Sequence, residues 1–406
     1  MMSPNLRSAT RFLLTPSRTS TALTLLFLAL ATAVASAQVT GWPDFQFGND
    51  RLGFNPYERA LSASNVNQLG IVWQAHPVSD VIYASPVLAN GLLYDITFDT
   101  GQLFALNAGT GAVVWQQTLQ GQFFVAAPAV VGNVLYVGVG FYTPYYTGAV
   151  YAVNALNGQI LWSNGNVHAV QTAPTVGNGL VYVADDFGVI SAIDASTGQI
   201  QWSYNTNTSQ GTGSAGALVN GVLYMGVSQF LFALNASDGT LVWRQEMSAF
   251  TASSPAVQNG VVYMNSADGG VYAFDAATGA AIWHHAIRVG YGNSLSIANG
   301  SVYLCGYEGA PGLVALNAQT GATVWSRAIV QCNFASPTVA NGVVYVGWES
   351  EESINSHIVA FDAGTGTQLW QQLVGSPIYG EPIVVNGKLY ITTYSGEVTA
   401  FGLNQD

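Results

Sequence analysis

"AFDAATGAAIW", residues 273–283, decides the fold, because the same phrase returns six more times along the chain. It reappears as "ALNAGTGAVVW" (105–115), "AVNALNGQILW" (152–162), "AIDASTGQIQW" (192–202), "ALNASDGTLVW" (233–243), "ALNAQTGATVW" (315–325) and "AFDAGTGTQLW" (360–370). The skeleton is Ala, any residue, Asn or Asp, three residues, Gly, three residues, Trp. With one further copy of the tryptophan, the series is Trp73, Trp115, Trp162, Trp202, Trp243, Trp283, Trp325 and Trp370, spaced by 40 to 47 residues. Such periods mark either propeller blades or helical arrays.

The content of each unit selects the propeller. Short apolar and aromatic runs such as "GVVYM" and "GVYAFDA" alternate with Gly- and Asn-rich breaks, and four strands per unit make one blade. Asn-Gly pairs, which supply the two positive-φ residues of a type I′ hairpin, separate the first two strands at Asn90, Asn178, Asn220, Asn259, Asn299, Asn341 and Asn386. Gly132-Asn133 holds the eighth place. The chain ends complement each other: "NVNQLGIVW" (65–73) lacks the phrase before its tryptophan, and the last unit, from Glu381, has three strands and no tryptophan. Joined, they complete an eighth blade and leave no open edge. The expectation is an all-β, eight-bladed propeller of four-stranded antiparallel blades, closed by an N-terminal strand in the C-terminal blade. The eight tryptophans are then core residues, with the alanines ten residues before them letting adjacent sheets approach.

Upstream of the repeats, Arg7, Arg11 and Arg18 precede the uncharged run "ALTLLFLALATAVA" (22–35) and the small residues Ala35-Ser36-Ala37. This pattern reads as a secretory signal peptide over 1–37, leaving one domain over 38–406. The run falls short of the roughly 20 residues of a membrane span. An exported, periplasmic or secreted, monomeric protein is expected. Formal charge is −12, and loss of the leader removes only basic residues. Nucleic acid is therefore an unsuitable partner. Cys305 and Cys332 are the only cysteines. An exporting compartment would let them pair; two buried thiols are the alternative.

The phrase Ala-x-Asx-x-x-Thr-Gly-x-x-x-Trp resembles the tryptophan-docking repeat of pyrroloquinoline quinone (PQQ) quinoproteins. The lead-in "WPDFQFGNDRLGFNPYERALSASNVNQLGIVW" (42–73) resembles the segment that opens quinoprotein alcohol dehydrogenase propellers. That resemblance implies PQQ with calcium in a central funnel, two adjacent cysteines over the quinone, a tryptophan beneath it, and an aspartate and an arginine at its oxygens. Here no two cysteines are adjacent, and no PQQ ligand is assigned to a position of this chain. A second branch of the resemblance is the eight-bladed lipoprotein of the outer-membrane barrel-assembly machinery, a scaffold without an active site.

The loops that follow each tryptophan and those joining second to third strands should share one face, opposite the Asn-Gly turns, and their length and variety mark it as functional. On them, Phe124, Tyr142, Tyr145, Tyr146, His284, Arg288, Tyr291, Arg327 and Trp348 are candidate contacts for a protein or glycan. Glu349 and Glu351 beside Trp348 are oxygen donors that could hold Ca²⁺, weighed against a solvated acidic loop. Asp99, Asp185, Asp186 and Asp268, each near a glycine in a hairpin, read as turn caps. The favoured function is an exported binding or scaffold module with no certain cofactor. The alternative is a PQQ-dependent dehydrogenase oxidising an alcohol or sugar. A lyase built on His284, Arg288 and Tyr291 is a third reading.

Overall fold

The structure, a computed structural model, describes residues 41–403 apart from 121–125, 142–146, 209–213, 252, 288–292, 307–311, 329–331, 333–335 and 349–354. The leader over 1–37 lies outside the described residues.

Each blade starts from a local constraint. At Asn259-Gly260 both residues have positive φ, 51° and 78°, and the same holds at the other Asn-Gly pairs. Turns of this hand match strand twist, so the innermost strand Ala256–Gln258 folds back onto Val261–Asn265. Gly270–Asp275 and Ala281–Ala286 then complete a four-stranded antiparallel sheet. Seven sheets form from consecutive strands in this way, and in one of them Phe54–Asn55 adds a fifth strand parallel to Thr338–Ala340. The eighth takes Ile383–Val385, Lys388–Thr392 and Val398–Leu403 from the end of the chain and Leu69–Ala75 from its beginning. Their register runs from Leu69↔Leu403 to Ala75↔Val398, which is the closure expected.

The repeated phrase has two structural roles. Inside a blade, Ala273 lies in register between Tyr263 and Trp283, whose rings meet above it at 5.9 Å. The alanine is thus small beneath the ring contact of its own blade, and it also packs with Val302 and Leu304 of the next blade in one buried cluster. Between blades, the Trp243 indole Nε1 donates to the Ala276 carbonyl in the neighbouring turn at 2.9 Å, and six other repeat tryptophans do the same. The ring lies flat on the glycine of that turn: a Cβ on Gly279 would sit 2.7 Å from the Trp243 ring. Trp370 is the exception. The turn it would meet is replaced by the two chain ends, and it packs instead on Phe401 and the short helical turn Val66–Gln68.

The residue before each tryptophan is a β-bulge. Phe274 pairs Ala281 and Ala273 pairs Trp283, so Ile282 is extra and half exposed. Bulges on all eight outer strands twist and blunt edges that would otherwise pair with other chains. Cys305 and Cys332 form a disulfide, with Cα atoms 5.7 Å apart, between the second strand of the sixth blade and the segment entering the seventh.

Two predictions concern stability. Gly239 and Gly221 both have φ near +75°, but a Cβ on Gly239 would reach within 2.5 Å of Trp202 and one on Gly221 would meet nothing. Gly221→Ala should cost about 1–2 kcal/mol for the left-handed backbone alone; Gly239→Ala should cost clearly more, as read by urea denaturation. Cys305→Ser should lower stability by about 3–4 kcal/mol, from the loop entropy of a crosslink spanning 27 residues.

Candidate functional site

The inner strands end at a channel that the chain closes from one side. Their inner edges carry unpaired backbone groups, which must find partners if the channel is dry. Residues 42–55 supply them by circling the axis and bonding each blade in turn. Trp42 pairs with Leu88, the Pro43 carbonyl accepts from Val130 N, and the Asn49 amide donates to Val176 O at 2.9 Å. The carbonyls of Asn49, Asp50, Leu52 and Gly53 then accept from the backbone amides of Leu218, Val257, Ile297 and Val339. Asn55 donates to Val384 O at 2.8 Å. This belt lies three residues along each strand from the mouth, toward the Asn-Gly face, so the channel is a funnel open only on the loop-rich face.

Arg51 fixes the belt from inside. It is fully buried, pairs with Asp44 at 2.7 Å, and donates to the carbonyls of Phe45, Pro174 and Gly216 and to the Thr175 hydroxyl. Its charge is therefore consumed within the floor. Glu381 stands in the eighth blade where the others place Ser or Ala. It accepts from Gln46 N at 2.9 Å, and its burial raises its pKa to about 8, against the lowering effect of that bond. Asp95 is a second anomaly at this seam, in a place where the other blades carry Val, Met, Leu or Ile. Burial holds its carboxyl well above the usual range, and Oδ2 has no partner.

Above the belt the funnel encloses about 220 Å³. Phe45 forms its floor, and Ser85, Thr172, Ala173, Ala215, Ser254, Ser294 and Ser336 form its wall. No Asp, Glu, Lys, Arg or His is among its described lining residues. Three of the hydroxyls accept backbone N–H groups from the preceding blade: Ser294 from Ser254, Ser336 from Ser294, and Ser85 from Glu381, at 2.8 to 3.1 Å. Accepting there leaves the O–H proton of each to donate elsewhere. The Thr172 hydroxyl is buried without a partner.

At the rim, Tyr83 and Tyr379 stack at 4.9 Å with their planes 17° apart. Phe98 lies 4.7 Å from Tyr83, and Tyr394 meets both tyrosines edge-on. On the third blade Gln171 donates to Asp186 at 2.5 Å, and burial raises Asp186 to about 6. Asp185 accepts from the Phe187 and Val189 amides and faces His168 Nδ1 at 3.0 Å; Asp268 accepts from Gly270 N. Both thus cap turns.

Phe124, Tyr142, Tyr145, Tyr146, Arg288, Tyr291, Glu349 and Glu351 lie outside the described residues. His284 stacks on Tyr272 at 4.3 Å. Arg327 donates to Thr365 O and Gly366 O in the adjacent blade's docking turn, and Trp348 stacks on His357 at 4.7 Å. None of these three lines the funnel. The sequence reading missed Tyr83 and Tyr379, although each lies two residues before the mouth position of its blade. It also missed Glu381, visible as "GEP" against "ASP" and "SSP". No group of three or more His, Cys, Asp or Glu that could hold a metal occurs among the described residues. No described helix is long and apolar enough to cross a membrane.

The protonated Glu381 makes a pH prediction. Its folded pKa of about 8 exceeds the unfolded value of 4.5, so the folded state binds the extra proton between them and stability falls as pH rises through that window. One such proton contributes about 1.4 kcal/mol per pH unit. Glu381→Gln should flatten the decline of the unfolding free energy, read from urea denaturation, between these pH values by about that slope.

A ring of tryptophan-docked blades around a sealed funnel defines the class of PQQ-repeat propellers. The family profile described as outer membrane protein assembly factor BamB matches residues 60–140, 138–228, 187–301 and 271–405, and the chain belongs to that family. Among curated proteins it is similar to tetrathionate hydrolase of Acidithiobacillus ferrooxidans, 24% identical over 45% of this chain and 41% of the relative. It is also similar to outer membrane protein assembly factor BamB of Yersinia pestis, 27% identical over 43% of this chain and 49% of the relative. The chain spans about half the length of these curated relatives. Among solved structures, quinohemoprotein alcohol dehydrogenase from Comamonas testosteroni superimposes with a TM-score of 0.76 at 16% identity, covering 93% of this chain and 82% of that one. BamB from Moraxella catarrhalis gives 0.67 at 18% identity, covering 83% and 98%. At these identities the likeness is one of fold.

Proposed function

We propose that the chain is an exported binding module that engages a partner through its loop-rich face, centred on the funnel mouth, without a redox cofactor. The observation that carries this reading is the chemistry of the funnel: its described wall is uncharged, and the buried arginine below it is already saturated by Asp44 and backbone carbonyls. PQQ carries carboxylates on a flat aromatic core. Desolvating them against described lining residues that offer no cation would be strongly unfavourable. The described donors do not fit this cofactor.

Titration of the purified protein with PQQ, with and without Ca²⁺, followed by calorimetry and absorption, decides between the module and the dehydrogenase alternative. We expect no heat beyond dilution and no quinone band. Stoichiometric binding in folded protein would establish the oxidoreductase reading instead.

A further inference from the structure

We infer that the funnel binds a small uncharged amide of the size of a cyclic dipeptide, its carbonyl oxygens on an arc of serine hydroxyls and its hydrocarbon against the alanines; this deepens, and rests on, the reading of the loop-rich face as a binding surface. Three features of the wall point to that chemistry, and none of them uses the packed tyrosines at the rim.

The first is a division of the wall into two arcs. From the first blade to the eighth, the mouth position reads Ser85, Ala127, Ala173, Ala215, Ser254, Ser294, Ser336 and Glu381. Alanine holds three consecutive blades, where Ala127, Ala173 and Ala215 form a buried apolar cluster with Phe45 packed against it. Serine holds the next three blades and the first. The internal repeat supplies a control: the blade accepts a methyl group at this position, so packing does not demand the hydroxyls. The second feature is a set of unused donors. Ser85, Ser294 and Ser336 each accept a backbone N–H, and the Ser254 hydroxyl bonds no described residue. None of these four serines is more than 6% exposed, and none of their O–H groups donates to a described residue. A buried donor left unmatched is unfavourable, so this arc favours a guest that brings acceptor oxygens to it. The third feature is Gln171 on the alanine side. It lines the funnel, and its Nε2 is taken by Asp186, which leaves Oε1 to accept an N–H. A guest with carbonyl oxygens, an N–H and a hydrocarbon face is an amide; an ester or ketone would leave Gln171 unmatched. The described wall carries no charged side chain, so an ionic guest would lose its hydration without compensation. The enclosed volume of about 220 Å³ falls below the roughly 300 Å³ at which pockets enclose drug-sized molecules, so the guest is small.

The test is calorimetric titration of the purified protein with the cyclic dipeptides cyclo-glycylglycine and cyclo-alanylalanine, with linear alanylalanine, which carries both terminal charges, as the control. We expect saturable binding of at least one cyclic dipeptide and none of the linear one. Ser294→Ala with Ser336→Ala installs the residue that three other blades already carry, and should weaken that binding by about tenfold or more in folded protein. Ala173→Leu, which fills the cavity from the alanine side, should abolish it. No cyclic dipeptide bound by folded protein, equal binding of the linear dipeptide, or binding that survives either set of substitutions would overturn the inference. The two failures are separable: absence of both amide and PQQ binding defeats the amide alone, whereas PQQ binding defeats the module reading beneath it.

Discussion

An indole ring laid on a neighbour's glycine is the interaction on which the rest of this molecule depends. Each docked tryptophan buries a large flat surface against the next blade and places its one polar atom on a carbonyl, which at six of the seven turns also accepts from the Tyr hydroxyl of the same blade, as Trp243 and Tyr224 do at Ala276; the Tyr94 hydroxyl, in the blade of Trp115, is buried without a partner. Hydrophobic burial sets the strength of the contact and the hydrogen bond sets its register. Geometry leaves no freedom in the partner: the turn glycine is needed both for its left-handed backbone and because any side chain would enter the ring. Seven repetitions propagate one blade angle around the circle.

The closure of the ring follows from interrupting that contact once. Where Trp370 should find a docking turn, none joins Val398–Leu403 to Leu69–Ala75, because the eighth blade takes its outer strand from the N-terminal part of the chain. Tyr345, which by analogy would bond the same missing turn, is left with a buried, unpartnered hydroxyl. Antiparallel pairing across Leu69–Ala75 replaces the lost docking, and the belt from Trp42 to Asn55 adds a second closure by touching every blade. A buried Arg51 is unfavourable in isolation; here a carboxylate and three carbonyls compensate it, which ties the belt to one position.

A fold this regular makes its exceptions informative. Eight copies of one unit sample the same environment, so a position that is Val, Met, Leu or Ile elsewhere and Asp at residue 95 departs from what packing asks. Both departures lie where the last blade adjoins the first: Asp95 beside Thr392, and Glu381 with its N–H on the Ser85 hydroxyl. Regular contacts hold the scaffold, and the seam is where the scaffold differs from itself.

The architecture was legible in the sequence because its determinants are local and repeated. Asn-Gly sets each hairpin, the Gly of the phrase sets each docking turn, and the spacing of tryptophans sets the blade count, all within one unit of chain. The candidate site was not legible, because its parts come together only through ring closure. Tyr83 and Tyr379 are nearly 300 residues apart and stack because the first and last blades adjoin. Glu381 reads as one more acid until Gln46, from the other end of the chain, is seen bonded to it. By itself, the sequence determined the blade, its turns and its number. The tertiary structure decided that the channel is sealed, where it opens and what lines it, since those properties belong to long-range hydrogen bonds and burial that no single repeat contains.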